Sequence, residues 1–183
     1  MSDNESENQD EKTAKKSRSS TTATGVNDGG QTPPGREGQP NEKAALEAAR
    51  QNAVRMTAVG HAVWLMSRSP IHKHMMMTDL EWLVLPPILL GQFRLWQKSG
   101  MPIGFASWAY LGEEPAERIV SKGIRRLMPT DWKSGNDLWL IDFLAPMGGQ
   151  EEMIKELKEK VFKGRPVKSL QPNSGGGVSV REW

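Results

Sequence analysis

The sequence predicts an α/β sandwich, a mixed sheet flanked by helices, preceded by a disordered polar tail. Three observations predict it. Residues 1–43 contain no Leu, Ile or aromatic side chain and are rich in Ser, Thr, Gly, Pro, Asn, Gln and charge, so they bury too little apolar surface to offset the entropy of ordering. Residues 44–183 alternate helix-period stretches with short apolar or aromatic runs. The order of these elements is helix, helix, strand, strand, helix, strand, helix, strand, strand. Adjacent strands joined by a hairpin, mixed with helical crossovers, give a mixed sheet rather than a doubly wound parallel one.

Each element has a local reason. Residues 44–67 combine good helix formers with apolar residues at helical spacing, with only Gly60 against them, and predict one long helix. Pro70 disfavours helix at Ser69, so residues 68–77 open as a loop. Thr78 and Glu81 have the spacing of a capping box for a short helix, which Pro86 and Pro87 must bend or end. Residues 92–97 and 101–111 are aromatic-rich runs around Lys98, Ser99 and Gly100, read as a hairpin with a three-residue turn. Residues 113–128 read as a helix, acidic at its start and carrying Arg125 and Arg126 near its end, which suits the macrodipole. Residues 138–144, L-W-L-I-D-F-L, are nearly all apolar, as in a central strand covered on both faces. A helix over 149–162 carries Glu and Lys at i, i+4. Strands over 166–170 and 178–182 flank a Gly-rich turn.

Composition narrows the function. Lys plus Arg number 24 against 22 Asp plus Glu, a net +2, too weak a balance to imply nucleic-acid binding. Eighteen basic and 14 acidic residues fall within 44–183, so the folded part is mildly basic. Cysteine is absent, which excludes disulfides, thiolate metal sites and a Cys acyl-enzyme. The acidic N-terminus lacks a secretory pattern. The most apolar run, residues 83–90, is interrupted by two prolines and falls short of the roughly 20 residues a membrane span needs. The expectation is a cytoplasmic protein without stable membrane insertion. No dinucleotide fingerprint, Walker loop or H-E-x-x-H is present, and no bound cofactor is expected.

By residue type alone, His72 in a Pro-containing loop reads as structural, since many histidines satisfy local hydrogen bonds. Asp142 divides evenly between a buried structural carboxylate and a functional one, and Ser69 before Pro70 reads as a turn residue. His72 and His74 form H-x-H with no Cys or nearby ligand set, so no metal site is expected. Arg118, Lys122, Arg125 and Arg126 would share one face of a continuous helix. That face is either a solvated surface or a docking patch for an acidic partner.

Longer motifs change this weighting. G-H-A-V-W-L over 60–65 and S-P-I-H over 69–72 are followed by V-L-P over 84–86 and P-I-G-F-A-S-W-A-Y-L over 102–111. D-W-K-S-G-N-D-L-W-L-I-D-F-L-A-P-M-G then runs over 131–148. In order and approximate spacing this series resembles the RTX toxin-activating lysine acyltransferases, from Gly60 to Gly148 and weakly beyond. Ala106 stands where that family has Cys, Leu83 where it has Asn, and residues 1–43 form a longer polar extension.

The resemblance implies an acetyltransferase-like (GNAT-type) sandwich that tends to form a homodimer. It implies an acyl carrier protein thioester as donor, lysines of an RTX protoxin as acceptors, and His72 and Asp142 as catalytic residues with Ser69 in support. The chemistry is consistent with those residue types. A lysine ammonium must lose a proton before attacking a thioester, and an imidazole titrating near pH 6.5 is suited to take it. Asp142, among apolar neighbours, needs a partner; the expectation is that it meets and orients His72, or else holds the incoming ammonium. Met75, Met76 and Met77 could wall an acyl chain as readily as they pack, and the helix start after Gly148 and Gly149 offers an anion site. Arg118, Lys122, Arg125 and Arg126 become candidates for carrier docking. Two alternatives stand beside this reading: a coenzyme A-dependent N-acetyltransferase of the same fold, and a non-catalytic interaction module.

Overall fold

A computed structural model describes residues 41–123, 125–173, 175 and 177–183; the expected tail, up to residue 40, lies outside them. The first helix, α1, spans Glu42–Arg68, its first turn capped by the Asn41 side chain accepting from the Lys43 N–H. It therefore starts two residues before the expected boundary, because Asn41 supplies the cap that Ala44 cannot. Pro86 and Pro87 divide the next helical stretch into α2 (Leu80–Leu83) and α3 (Leu85–Leu90), and both prolines fall in the first turn of α3. Their missing N–H groups cost nothing there. The expected Thr78–Glu81 capping box is replaced by Asp79, whose carboxylate accepts from the Met76 N–H at 2.8 Å and the Trp82 indole at 3.0 Å.

Five strands form one mixed sheet in sequence order: β1 (Phe93–Lys98), β2 (Met101–Leu111), β3 (Asp137–Leu144), β4 (Lys168–Pro172) and β5 (Val178–Glu182). The pair β3–β4 is parallel and the other pairs are antiparallel. The β1–β2 turn has two residues rather than three. Lys98 pairs with Met101, leaving Ser99 and Gly100 at φ 49° and 79°, the mirror-image turn whose twist suits a hairpin. The strand expected over 166–170 is displaced to Lys168–Pro172, since Val167 instead exchanges backbone bonds with Trp183.

Helix α4 spans Glu113–Lys122 and stops at Gly123, which is left-handed and donates to the Val120 carbonyl. The expected continuation to residue 128 is thereby lost. Helix α5 covers only Gln150–Glu156 before a π-helical turn over Leu157–Val161, shorter than the regular helix expected over 149–162.

Both sheet faces are covered. On one, Ala62, Leu65 and Met66 of α1 pack with Leu83, Ile88, Phe105 and Leu144, and Ile119, Leu127 and Trp132 pack with Ala109, Leu111, Trp139 and Ile141. On the other, Leu157, Phe162 and Val167 pack with Ala106, Trp108 and Leu138. The D-W-K-S-G stretch is a brace for the end of β2: Tyr110 donates to the Trp132 carbonyl, Gly135 donates to the Tyr110 carbonyl, and the Gly112 N–H donates to Ser134 Oγ at 2.9 Å.

Candidate active site

The site starts where α1 ends. Pro70 holds Ser69 in an extended conformation, φ −87° and ψ 126°, as the cap of α1. The chain then tightens into a 3₁₀ turn over His72–His74, with Lys73 donating to the Ser69 carbonyl. An i, i+3 pair in so tight a turn lies on one side, and Ser69 Oγ is 2.7 Å from His72 Nδ1. On the other side of the ring, His72 Nε2 is 3.1 Å from Asp142 Oδ1, across 70 residues of sequence. An ionised carboxylate only accepts, so Nε2 carries the hydrogen and Nδ1 is left to accept from the Ser69 hydroxyl.

Asp142 reaches His72 through a β-bulge. Opposite β3, Ser107 pairs with Asp142 and Trp108 pairs with Leu140, which leaves Ile141 as the extra residue. Ile141 and Asp142 then turn to the same face, Ile141 into the core beneath α4 and Asp142 toward α1. Regular alternation would have put Asp142 on the face opposite Ile141. Its Oδ1 also accepts from the Phe143 N–H at 3.0 Å.

Arg125 completes the cluster. Its guanidinium donates to the Ile141 carbonyl at 3.1 Å, a group in the bulge, and lies 3.8 Å from Asp142 Oδ1. The sequence reading placed Arg125 on a helix face with Arg118, Lys122 and Arg126. With α4 ending at Lys122, the four cations no longer share one helix face, and Arg125 parts from the other three. Arg118 binds Glu114 and Asp131, and the Asp131 hydrogen bond, ahead of Glu114, pushes the guanidinium further up from its ordinary value. Arg126 stacks over Trp82. Arg118, Lys122 and Arg126 share a cavity of about 380 Å³ without Arg125.

Two cavities adjoin the His72–Asp142 contact. One, of about 310 Å³, has Arg125, Asp142, Lys158, Gln171 and Arg181 in its lining. The second, of about 130 Å³, places His72 beside Met66, Met75, Met76 and Met77. A larger, shallower hollow of about 1110 Å³ along α4 and β5 contains neither His72 nor Asp142, and its size alone gives it no part in this chemistry. Ser107, directly across from Asp142, is fully buried, and its hydroxyl has no partner among the described residues.

Comparison with known proteins assigns the chain to a family. Residues 51–183 match the model of the RTX toxin acyltransferase family. The chain belongs to that family. Among similar proteins, the lysine-acyltransferase RtxC of Vibrio cholerae is 33% identical over 57% of this chain and 68% of its own length. The leukotoxin-activating lysine-acyltransferase LtxC of Aggregatibacter actinomycetemcomitans is 32% identical over 66% and 77%. The RTX-I toxin-activating lysine-acyltransferase ApxIC of Actinobacillus pleuropneumoniae is 34% identical over 55% and 58%, so the match leaves two fifths of that relative's length uncovered.

In this acyltransferase, Ser69, His72 and Asp142 are brought together. Arg118, Lys122 and Arg126 stand apart from them, and Arg125 joins the site. Sequence reasoning missed that role for Arg125 because the signal was structural: a Gly123 helix stop frees residue 125 to turn toward the sheet. No described helix is long and apolar enough to cross a membrane.

Proposed function

We propose that this protein transfers a fatty acyl group from acyl carrier protein to the ε-amino group of lysines in an RTX protoxin. His72 serves as base and Asp142 as its orienting carboxylate. One observation carries the site assignment: the 3.1 Å contact between His72 Nε2 and Asp142 Oδ1. It closes a relay from the Ser69 hydroxyl through the imidazole to a buried carboxylate. The substrate assignment rests on the names of the relatives, which are toxin-activating lysine-acyltransferases.

With Nε2–H held by Asp142, the open lone pair is on Nδ1, and the Ser69 hydroxyl already points at it. An acceptor ammonium beside Ser69 passes one proton through that hydroxyl to Nδ1. The neutral amine then attacks the thioester carbonyl, a C–N bond forms and the C–S bond breaks. The second amine proton leaves with the thiolate, and the imidazolium returns its proton to solvent. Asp142 stabilises the imidazolium in the interval. The donor is placed in the cleft that Asp142 lines. The parallel strands β3 and β4 pair only at Trp139–Lys168 and Leu140–Ser169 and then part, which supports reading the sheet as an acetyltransferase-like sandwich with a ligand slot at its centre. Carrier docking belongs to Lys122 and Arg126, whose cavity carries positive charge; a homodimer and a cytoplasmic setting complete the reading.

The 2.7 Å Ser69–His72 contact also favours a second route, in which Ser69 Oγ itself takes the acyl group and passes it to lysine. Mass spectrometry separates the two. A protoxin co-expressed with the wild-type protein gains acyl groups on lysine, and His72→Ala or Asp142→Asn abolishes the gain. Acyl-Ser69 in a donor-only incubation selects the serine route; a fully active Ser69→Ala protein excludes it and shows that the lysine proton reaches Nδ1 without the hydroxyl. Full acylation by His72→Ala would refute the proposal.

A further inference from the structure

We infer that the methionine-lined cavity beside His72 seats the first carbons of the donor's fatty acyl chain, an inference that deepens the acyl-transfer reading and rests on it. A thioester carbonyl bears sulfur on one side and the alkyl chain on the other. A chain bound for transfer at His72 therefore needs an apolar seat that reaches the imidazole. Two cavities adjoin the His72–Asp142 contact. The one lined by Asp142 also has Arg125, Lys158 and Arg181 in its walls, and an alkyl chain laid there would take those charges out of water without pairing them. The other, of about 130 Å³, sets His72 beside Val63 and Met66 of α1, Leu80 of α2, and Met75, Met76 and Met77 between them. No acid lines it, and Lys73 is its one cation besides the imidazole. An apolar cavity of about 150 Å³ holds a benzene-sized ligand, so this one takes roughly six carbons.

The exposure of these side chains is the second observation. Met66 is buried and Met75 packs partly against the core around Leu65. Met76 and Met77 are instead 69% and 77% exposed, and Ile71, next to His72 in sequence, is 78% exposed. Core packing does not account for large apolar groups left in water around the proposed base, and such a patch marks a binding surface. The backbone beneath it is nevertheless fixed. Met75 donates to the His72 carbonyl at 3.0 Å, Asp79 donates to the Met76 carbonyl at 2.9 Å, and the Met76 N–H donates to the Asp79 carboxylate at 2.8 Å. The wall is thus anchored in its main chain and free in its side chains, and unbranched thioethers adapt to a flexible chain. The larger hollow along α4 is a poorer seat, since Glu113, Glu114, Glu117 and Asp137 line it and His72 does not. The chain begins at His72, fills the cavity, and continues over Met76 and Met77.

The test uses the full chain, a protoxin acceptor, and acyl carrier protein loaded with butanoyl or dodecanoyl groups. Wild type is compared with the double variant Met76→Asn, Met77→Asn, whose two positions are exposed and outside the core. In the variant, the ratio of kcat/KM for dodecanoyl over butanoyl should fall roughly tenfold or more, since each methylene that loses its apolar wall costs about a factor of four. An unchanged ratio, or an equal loss with both donors, overturns the inference. So does a rise confined to the KM for protoxin, which would make the patch an acceptor surface. A second measurement does not depend on transfer. Dodecanoyl-pantetheine carrying a mid-chain diazirine, irradiated with the protein and mapped by mass spectrometry, should label residues within 63–80 in wild type and lose that label in the variant. Label elsewhere, or none, overturns the inference. If the wild-type protein transfers from no donor, the acyl-transfer reading fails, and the photolabel by itself decides whether the cavity takes an alkyl chain.

Discussion

Replacing Asp142 with Asn removes one charge and almost no volume, which makes it the cleanest probe of the proposed base. Asn retains a carbonyl oxygen, able to accept from His72 Nε2–H and the Phe143 N–H as Oδ1 does now. The fold should therefore survive, with stability changed by no more than about 1 kcal/mol. What disappears is attraction to an imidazolium. At 3.1 Å, Coulomb's law gives about 5 kcal/mol at an effective dielectric near 20 and about 1.3 kcal/mol in bulk water. The side chains of His72 and Asp142 are only 10% and 5% exposed, so the first value is nearer. Arg125 is present in both proteins, so its own repulsion of the imidazolium cancels in the comparison; the loss lies nearer the upper limit, about 3–5 kcal/mol, or roughly a 10²- to 10⁴-fold fall in kcat. Single-turnover acylation of a protoxin, read by mass spectrometry, measures this directly, with thermal unfolding as the control. A variant within threefold of wild type at unchanged stability would show that the carboxylate does not support the base. A variant inactive because it melts would show instead that Asp142 is a structural carboxylate.

Three further outcomes test the fold. A Cβ at Gly135 would collide with the Leu111 carbonyl oxygen and lie 2.6 Å from the Gly112 backbone, so Gly135→Ala should break the brace at the end of β2 and cost at least about 2 kcal/mol in chemical denaturation. Leu65 of α1 is fully buried; Leu65→Ala should lose between about 2 and 5 kcal/mol and loosen the helix that carries Ser69 and His72. The Trp96 indole, donating at 2.8 Å, and then Arg94 hold the Glu156 carboxyl below the usual carboxylate range. A depressed folded value means stability that is full above the unfolded carboxylate pKa of about 4.3 and lost as pH falls through the folded value. Glu156→Gln should therefore lower Tm at pH 6, and the gap to wild type should close on acidification below about pH 4. A gap that widens there would reverse the assigned sign.

The element order was legible because each element carries its own signal: a tail without large apolar residues, a Pro-split helix, a hairpin turn with Gly100, a strand of seven almost wholly apolar residues. Their ends were less legible. Gly123 stops α4 because the chain turns left-handed there, yet a lone Gly is also tolerated inside helices, and Arg125 and Arg126 beyond it looked like ordinary C-terminal helix charges. The π-helical turn after α5 and the shift of β4 depend on Phe162, Val167 and Trp183 meeting in the core, contacts between segments that no local window contains.

The candidate site shows the same division between local and non-local information. Ser69, Pro70 and His72 are neighbours, and the Pro-enforced extension followed by a tight turn makes their contact a consequence of four residues. Asp142 is different. In L-W-L-I-D-F-L a strict alternation from Trp139 and Ile141 would send Asp142 to the face of Leu138 and Leu140, away from α1. The extra residue at Ile141 cancels that step, and only the partner strand, with Ser107 and Trp108 fixing the register, decides whether the step is cancelled. The bulge also leaves a carbonyl for Arg125 to take, so the irregularity that aims the carboxylate at His72 also recruits the cation beside it. Deleting Ile141 would restore regular pairing with Asp142 still opposite Ser107 and on the face of α1, so it should spare the contact with His72 and remove the carbonyl that holds Arg125, whereas substitution of Ile141 by Val would disturb neither contact.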